Sequence, residues 1–339
     1  MSFITQHNVE RKILSILKVL STLQKPAGSV SIAKHLKERG IDLSERAIRY
    51  HLRLTDERGF TQLISERDGR VITERGLHEI QSALVNDKVG LAISRIEQLA
   101  FRTNIDLEHL SGKVPVNVSF FPEEKFSDAL KEMAPVFEKG LCVSRLVHSV
   151  RGGERIGDIL VPEGMVGLAT VCSIVINGAL LKAGIPMDSR FGGLLQLHNH
   201  KAVRFTEMIH YNGCSLDPSE IFIKARMTTL KETVLSGDGE ILANFREIPA
   251  ICQPVAENVF NALKRAGFLG VLMVGNVSEP VCEINIDLNK IGIVLLGGLN
   301  PVAAAAEAGI EAENHSMSAV VDYRILKPFE EILNRGFKN

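Results

Sequence analysis

The sequence predicts an α+β protein, an N-terminal winged helix-turn-helix followed by an internally duplicated α+β domain. Three observations predict it. Three helical periods and a hairpin signal follow one another within residues 1–82. From Val114 the chain changes to apolar runs punctuated by glycine. Beyond that change a single pattern of segments occurs twice.

Composition bounds the answer before any element is placed. A chain of 339 residues has length for two or three domains, and 45% hydrophobic with 23% charged residues is an ordinary globular balance. Tryptophan is absent and aromatics reach 5%, so the core must be aliphatic. Nothing offers a stacking platform for single-stranded nucleic acid or sugar. Cys142, Cys172, Cys214, Cys252 and Cys282 stand singly, which argues against a zinc site and against a secreted disulfide framework. No signal-like core and no long apolar run appear, so a cytoplasmic protein without membrane contact is expected. Charge is uneven: residues 1–82 hold 14 Lys+Arg against 10 Asp+Glu, and the remainder 25 against 30. The first quarter is the stretch suited to a polyanion.

The elements follow in order. Val9 to Leu23 carries the stripe Ile13, Leu14, Ile16, Leu17 and Leu20 of an amphipathic helix, broken by Pro26 and Gly28. A second helix runs from the Ser29-Val30-Ser31 cap through Leu36 to the neighbourhood of Gly40. Ser44 caps a third, which reaches about Glu57 before Gly59. On it Arg46, Arg49, Tyr50 and Arg53 share one face, while Ile48, Leu52 and Thr55 share another. A major-groove reader needs a packed face opposite an arginine face, because guanidinium groups donate paired hydrogen bonds to guanine edges. Phe60–Ser65 and Val71–Thr73 then form a hairpin around Asp68-Gly69, with Arg67 and Arg70 at its tip for phosphate or minor-groove contact. The DNA-binding candidates are therefore Ser44, Arg46, Arg49, Tyr50, Arg53, Arg67 and Arg70. A winged helix used only for protein contact is the plain alternative.

A helix starts at Thr73–Gly76 and runs through Leu77, Ile80 and Leu84. Residues 83–113 read as a linker holding a helix from Ala92 to Leu99. The effector-sensing domain spans 114–335 as two repeats, about 114–212 and 240–335. Val166-Gly167-Leu168 precedes Ala183-Gly184-Ile185 as Ile291-Gly292-Ile293 precedes Ala308-Gly309-Ile310. Pro122 leads a helix through Phe126, Leu130, Met133 and Phe137 to a strand at Gly140; Pro249 leads one through Val255, Val259 and Leu263 to a strand at Gly267. Arg204–Glu207 resembles Pro328–Glu331. Each repeat reads helix, strand, strands, helix, strand, and a cleft between duplicated units is a natural ligand site. The strand-to-helix turns there, at Ser173 in one repeat and at Gly297, Gly298 and Asn300 in the other, present backbone N–H groups to an anion. Ser173 and Asn300 fit the caps, and Arg190 and Arg246 are candidate bidentate partners for a carboxylate. These six residues form the candidate effector site.

Catalysis finds little footing. His198, His200 and His210 lack a companion carboxylate or cysteine at ligand spacing, so no metal is expected. No GxSxG or Walker motif occurs, Asp217–Glu220 reads as a helix cap, and no cofactor is implied.

Several longer strings carry a resemblance. SERAIRYHLRLTDERG at 44–59, GRVITERG at 69–76, SIVINGALLKAGIP at 173–186, RFGGLLQ at 190–196, LDPSEIF at 216–222, EIPAI at 247–251 and VLLGGLNPVAAAAEAGI at 294–310 are similar to segments of the NrpR nitrogen-regulatory repressors of methanogenic archaea. The resemblance implies a winged helix joined to a regulatory domain, acting as a homodimer on inverted-repeat operators of nitrogen-metabolism genes. It also implies allosteric release by 2-oxoglutarate. A metabolite-converting enzyme, or a protein-binding scaffold carrying a winged helix, is the competing expectation.

Overall fold

Ile16, Leu20, Ile32, Leu36, Ile48 and Leu52, from three successive helical stripes, are buried together. That cluster is the core of the first of two compact units, residues 1–88 and 89–339. The computed structural model describes residues 3–23, 25–38, 40–82 and 91–335. Leu84 and the opening of the expected linker lie outside them.

The first unit runs α1 (Phe3–Leu23), α2 (Ser29–Glu38), α3 (Glu45–Glu57), β1 (Thr61–Ser65), β2 (Gly69–Ile72) and α4 (Glu74–Ser82). Helix α1 begins six residues before the expected Val9. The wing pairs Thr61 with Ile72 and Leu63 with Arg70. Its turn is Glu66–Asp68, tied by the Ser65 hydroxyl donating to Asp68 at 2.7 Å. Gly69 is thus the first residue of β2 rather than the tip. Ala27 and Arg70 exchange backbone hydrogen bonds at 2.9 and 3.0 Å, adding a third short strand. Gly69, at φ +94°, lies so close to Ala27 that a Cβ would come within 2.3 Å of its carbonyl, which only glycine permits.

The second unit begins with α5 (Leu91–Arg102), assigned to the linker by sequence. Ala92, Ile96, Leu99 and Ala100 make a helical stripe buried with Cys172, Tyr211 and Met317, so α5 belongs to the body. The first repeat then runs β3 (Lys113–Pro122), α6 (Glu123–Glu138), β4 (Leu146–Arg151), the small ribbon β5 (Arg155–Ile156) and β6 (Ile159–Leu160), β7 (Met165–Val171), α7 (Ile174–Lys182), β8 (Asp188–His198) and β9 (Lys201–His210). Two short helices follow, α8 (Pro218–Lys224) and α9 (Leu230–Ser236). The second repeat runs β10 (Gly239–Pro249), α10 (Gln253–Arg265), β11 (Val271–Val277), β12 (Lys290–Leu296), α11 (Asn300–Glu307), β13 (Glu313–Asp322), β14 (Lys327–Pro328) and α12 (Phe329–Arg335).

Each repeat therefore opens with a strand absent from the sequence reading. The strands expected at Gly140 and Gly267 start later, because both glycines adopt left-handed φ (+70° and +85°) and close the preceding helices. Leu141 and Phe268 donate back to Val136 and Leu263 at 3.1 and 2.9 Å. Arg204–Glu207 and Pro328–Glu331 are not equivalent, since the first lies in a long strand and the second begins a helix.

The repeats exchange their last strands. One sheet has the order β13-β3-β7-β4-β14 and the other β11-β12-β10-β8-β9. In each, three strands come from one repeat and two from the other: β8 and β9 join the second repeat's sheet, where β8 pairs with β10 (Leu194 with Leu242), and β13 and β14 join the first's, where β13 pairs with β3 (Val320 with Pro115). Helices cross over as well. One core joins Phe126, Leu130 and Phe137 of α6 to Val302 and Ala305 of α11; another joins Val175 and Leu180 of α7 to Ala256 and Leu263 of α10. Successive residues of β12 alternate between these cores, Ile291, Ile293 and Leu295 in one, Val294 and Leu296 in the other, so its run of aliphatic residues is buried on both faces.

Candidate functional site

In the first unit, α3 presents what a reading helix requires. The Ser44 side chain accepts from the Ala47 N–H and starts the helix. Ile48, His51, Leu52 and Thr55 are buried, and Arg46, Arg49 and Arg53 are exposed on the other side with Tyr50 at 52%. No ion pair among the described residues holds any of these three arginines. The sequence gives no sign that His51 is a core residue. Its imidazole Nδ1 has no partner, and burial, with Lys12 second, holds its pKa below the ordinary 6.5.

The wing arginines separate. Arg67 is exposed in the turn. Arg70 lies in β2 rather than at the tip and is partly buried, its Nε donating to Asp56 at 2.7 Å. Asp56 also accepts from Thr61 at 2.6 Å, so Arg70 pins the wing to the end of α3. Arg58 and Glu10 make a second brace, bidentate at 2.8 and 2.9 Å.

In the second unit, Ser173, Arg246 and Gly298 of the expected effector site line one cavity, where the two repeats meet. It leaves ≈ 10 Å³ for the centre of a water-sized sphere, about what a single water needs. Arg246, in β10, is 1% exposed. One terminal nitrogen donates to the Phe245 carbonyl at 3.1 Å, and the guanidinium carbon lies 4.9 Å from the Tyr211 ring centre. Its Nε has no partner. No carboxylate among the described residues is within salt-bridge distance of it, the nearest acidic group in the cavity walls being the buried Asp217. An anion would relieve that arrangement.

The surrounding groups were mostly missed by sequence. Asn117 and Asn244 occupy matching places before Pro122 and Pro249, one in each opening strand. Asn117 accepts from the Met317 N–H at 3.0 Å; Asn244 accepts from the Tyr211 hydroxyl at 2.5 Å and donates to Ser173 at 3.3 Å. Ser173 therefore spends its hydroxyl across the repeats and does not cap α7. Asp217 caps α8 as expected, accepting from Ser219 at 2.7 Å, but it also lines the cavity. Burial pushes its carboxyl above the ordinary range, while Arg246 pulls more weakly the other way. Cys172 is buried there too, its thiol pushed up to about 12, which leaves it a poor nucleophile. The legible signal was an asparagine at the same distance before the helix-leading proline in both opening strands.

Arg190, Gly297 and Asn300 lie outside the cavity. Arg190 pairs with Glu247 at 2.7 Å and approaches Asp287 at 3.6 Å, in a cluster that Lys290 joins at 2.9 Å. Asn300 is fully buried, accepting from the Leu242 N–H and donating to its carbonyl at 2.9 and 3.1 Å. It ties α11 to β10 instead of capping the helix. Gly297 donates to the same carbonyl at 2.8 Å. Among the described residues no group of His, Cys, Asp and Glu is arranged to hold a metal ion, and His198 pairs with Asp238 at 2.9 Å.

Residues 89–328 match the family model described as NrpR regulatory domains NRD1 and 2, and residues 14–80 match a ribonuclease R winged-helix domain. The chain is 37% identical to the global nitrogen regulator NrpRI of Methanosarcina mazei, over 94% of this chain and 98% of that protein. It is 31% identical to the global nitrogen regulator NrpR of Methanococcus maripaludis, covering 91% of this chain but only 54% of that longer protein. A solved nitrogen repressor-like protein from Methanococcus jannaschii superposes with a TM-score of 0.59 at 25% identity, over 70% of this chain and 98% of the other.

Proposed function

The chain belongs to the NrpR family of nitrogen regulators, and from that premise we propose a DNA-binding repressor released by a small carboxylate, 2-oxoglutarate, held at Arg246. It is a transcriptional regulator rather than an enzyme. The observation that carries the DNA-binding half is the exposed Arg46, Arg49 and Arg53 face of α3, set opposite a buried apolar face. Two such helices in a homodimer would read an inverted repeat, each from its own major groove. Arg67 at the wing tip would grip the backbone.

The effector half rests on Arg246. A carboxylate reaching the cavity gains a buried guanidinium, and Asn117 and Ser173 lie within the same walls. The cavity is too small for a five-carbon dicarboxylate as it stands, so binding requires the repeats to separate. Occupancy is thereby coupled to their arrangement, which is what a regulator needs. Passing from mostly bound to mostly released takes about 5.5 kcal/mol of differential affinity between the two states.

The test is an operator titration by fluorescence anisotropy. Arg49→Ala or Arg53→Ala should lower operator affinity by about 1–3 kcal/mol, and 2-oxoglutarate should weaken the native complex. Unchanged affinity in both variants would remove α3 from its assigned role; indifference to 2-oxoglutarate would remove the effector.

A further inference from the structure

The two repeats are covered unequally. In the first, the outer edge of β4 is closed by β14, Lys327 pairing with Val147 and Pro328 with Leu146. The outer stripe of α6, made by Leu130, Met133, Ala134 and Phe137, is buried, and Phe329 of α12 stacks on Phe137 at 4.1 Å. In the second, β11 is the last strand of its sheet. Aligning the helices on their closing glycines, Gly140 and Gly267, places Glu257, Phe260, Asn261 and Lys264 at those four positions of α10. All four are at least partly exposed. They border a groove of ≈ 450 Å³ whose other wall includes Val271 and Val274 of β11.

The composition of this face indicates its occupant. Strand β11 reads Val-Leu-Met-Val-Gly-Asn-Val, with no charge and no proline to discourage pairing; Leu272 is 36% and Val277 45% exposed. On α10 the charges of Glu257 and Lys264 are opposite and flank Phe260 and Asn261 symmetrically. A twofold axis through that centre would set Glu257 against the partner's Lys264, and the reverse, which is the self-complementarity of an isologous contact. A middle of Phe260, Asn261 and the apolar residues of β11, with a charged rim, suits copies that fold separately and then meet. A permanently covered stripe, as on α6, carries no such rim.

We infer that two copies of this chain dimerise through the outer face of α10 and the open edge of β11. The inference names a surface for the dimer proposed above and rests on that reading. It is tested by sedimentation equilibrium on the full chain, with circular dichroism to confirm folding. The native chain should be a dimer. Phe260→Arg should weaken it about 30-fold or more, as loss of a central anchor does. Glu257→Lys and Lys264→Glu should each weaken it about tenfold by placing like charges across the axis, and E257K/K264E together should restore native affinity. Both swaps lie on an exposed helix face, so they remain informative if Phe260→Arg fails to fold. A native chain that is monomeric overturns both the dimeric reading and this surface. A dimer indifferent to all the substitutions overturns this surface alone.

Discussion

At the scale of single residues, the cavity depends on one guanidinium. Replacing a buried charge with an apolar side chain of similar volume is often neutral for stability, whereas it removes any attraction for an anion. Arg246→Met should therefore fold and unfold near the native temperature but lose its response to 2-oxoglutarate. The native protein should gain about 2.7 kcal/mol when the ligand stands at 100 times its Kd, a shift readable by thermal denaturation. His51 makes a second prediction. Its folded pKa lies below its ordinary 6.5, so the unfolded chain binds the extra proton. Stability from the neutral imidazole is thus complete above 6.5 and lost as pH falls toward the folded value. Hydrogen-exchange protection in α1 and α3 in urea should drop as pH falls below 6.5, and His51→Gln should flatten that dependence. Arg246 and Arg190 show the limit of reading residues singly. Both are arginines in largely buried strands, but β10 carries Arg246 into the cavity while its neighbour Glu247 is met by Arg190 at 2.7 Å. Which arginine finds a carboxylate is decided by strand register, and a sequence without that register treats them alike.

At the scale of elements, the winged helix was legible because its signals are local. Caps, helical stripes and a hairpin turn are each written within a few residues, and α2 and α3 lie where the pattern put them. The wing's third strand was not legible, since Ala27 joins Arg70 across more than forty positions. That contact makes Gly69 the element's weakest point to substitution. Gly69→Ala combines an unfavourable positive φ with a Cβ 2.3 Å from the Ala27 carbonyl, and should destabilise the wing by about 3 kcal/mol or more. Hydrogen exchange in β1 and β2 should accelerate while the second unit keeps its protection. Asn300 is a comparable case in the body. By sequence it is a cap for the start of α11, and the helix begins there, but its amide reaches sideways to both backbone groups of Leu242. Asn300→Ala leaves that N–H unpaired in the core, while the carbonyl keeps the Gly297 N–H, and should cost about 1–3 kcal/mol in denaturant unfolding.

At the scale of the whole body, the duplication was legible and its exchange was not. The spacing of aliphatic residues is the same whether a fourth strand returns to its own sheet or crosses to the other. Only packing distinguishes the two, and crossing buries the central strands of each sheet on both faces while placing Asn117, Ser173 and Arg246 around one cavity. The exchange has a thermodynamic consequence. A single repeat, residues 113–212 or 239–335, would lack the strand that pairs with β3 or β10 and half of each hydrophobic core. Neither should fold alone, because the lost apolar burial exceeds the few kcal/mol by which such domains are stable. Expressed separately, the halves should give disordered circular dichroism spectra. Mixed at equal concentration, they should recover native secondary structure, with a midpoint that rises with concentration as association requires. Independent folding of either half would show that strand exchange adds nothing to the body's cooperativity. It would also undermine an effector mechanism in which separating the repeats is costly enough to be felt at the DNA.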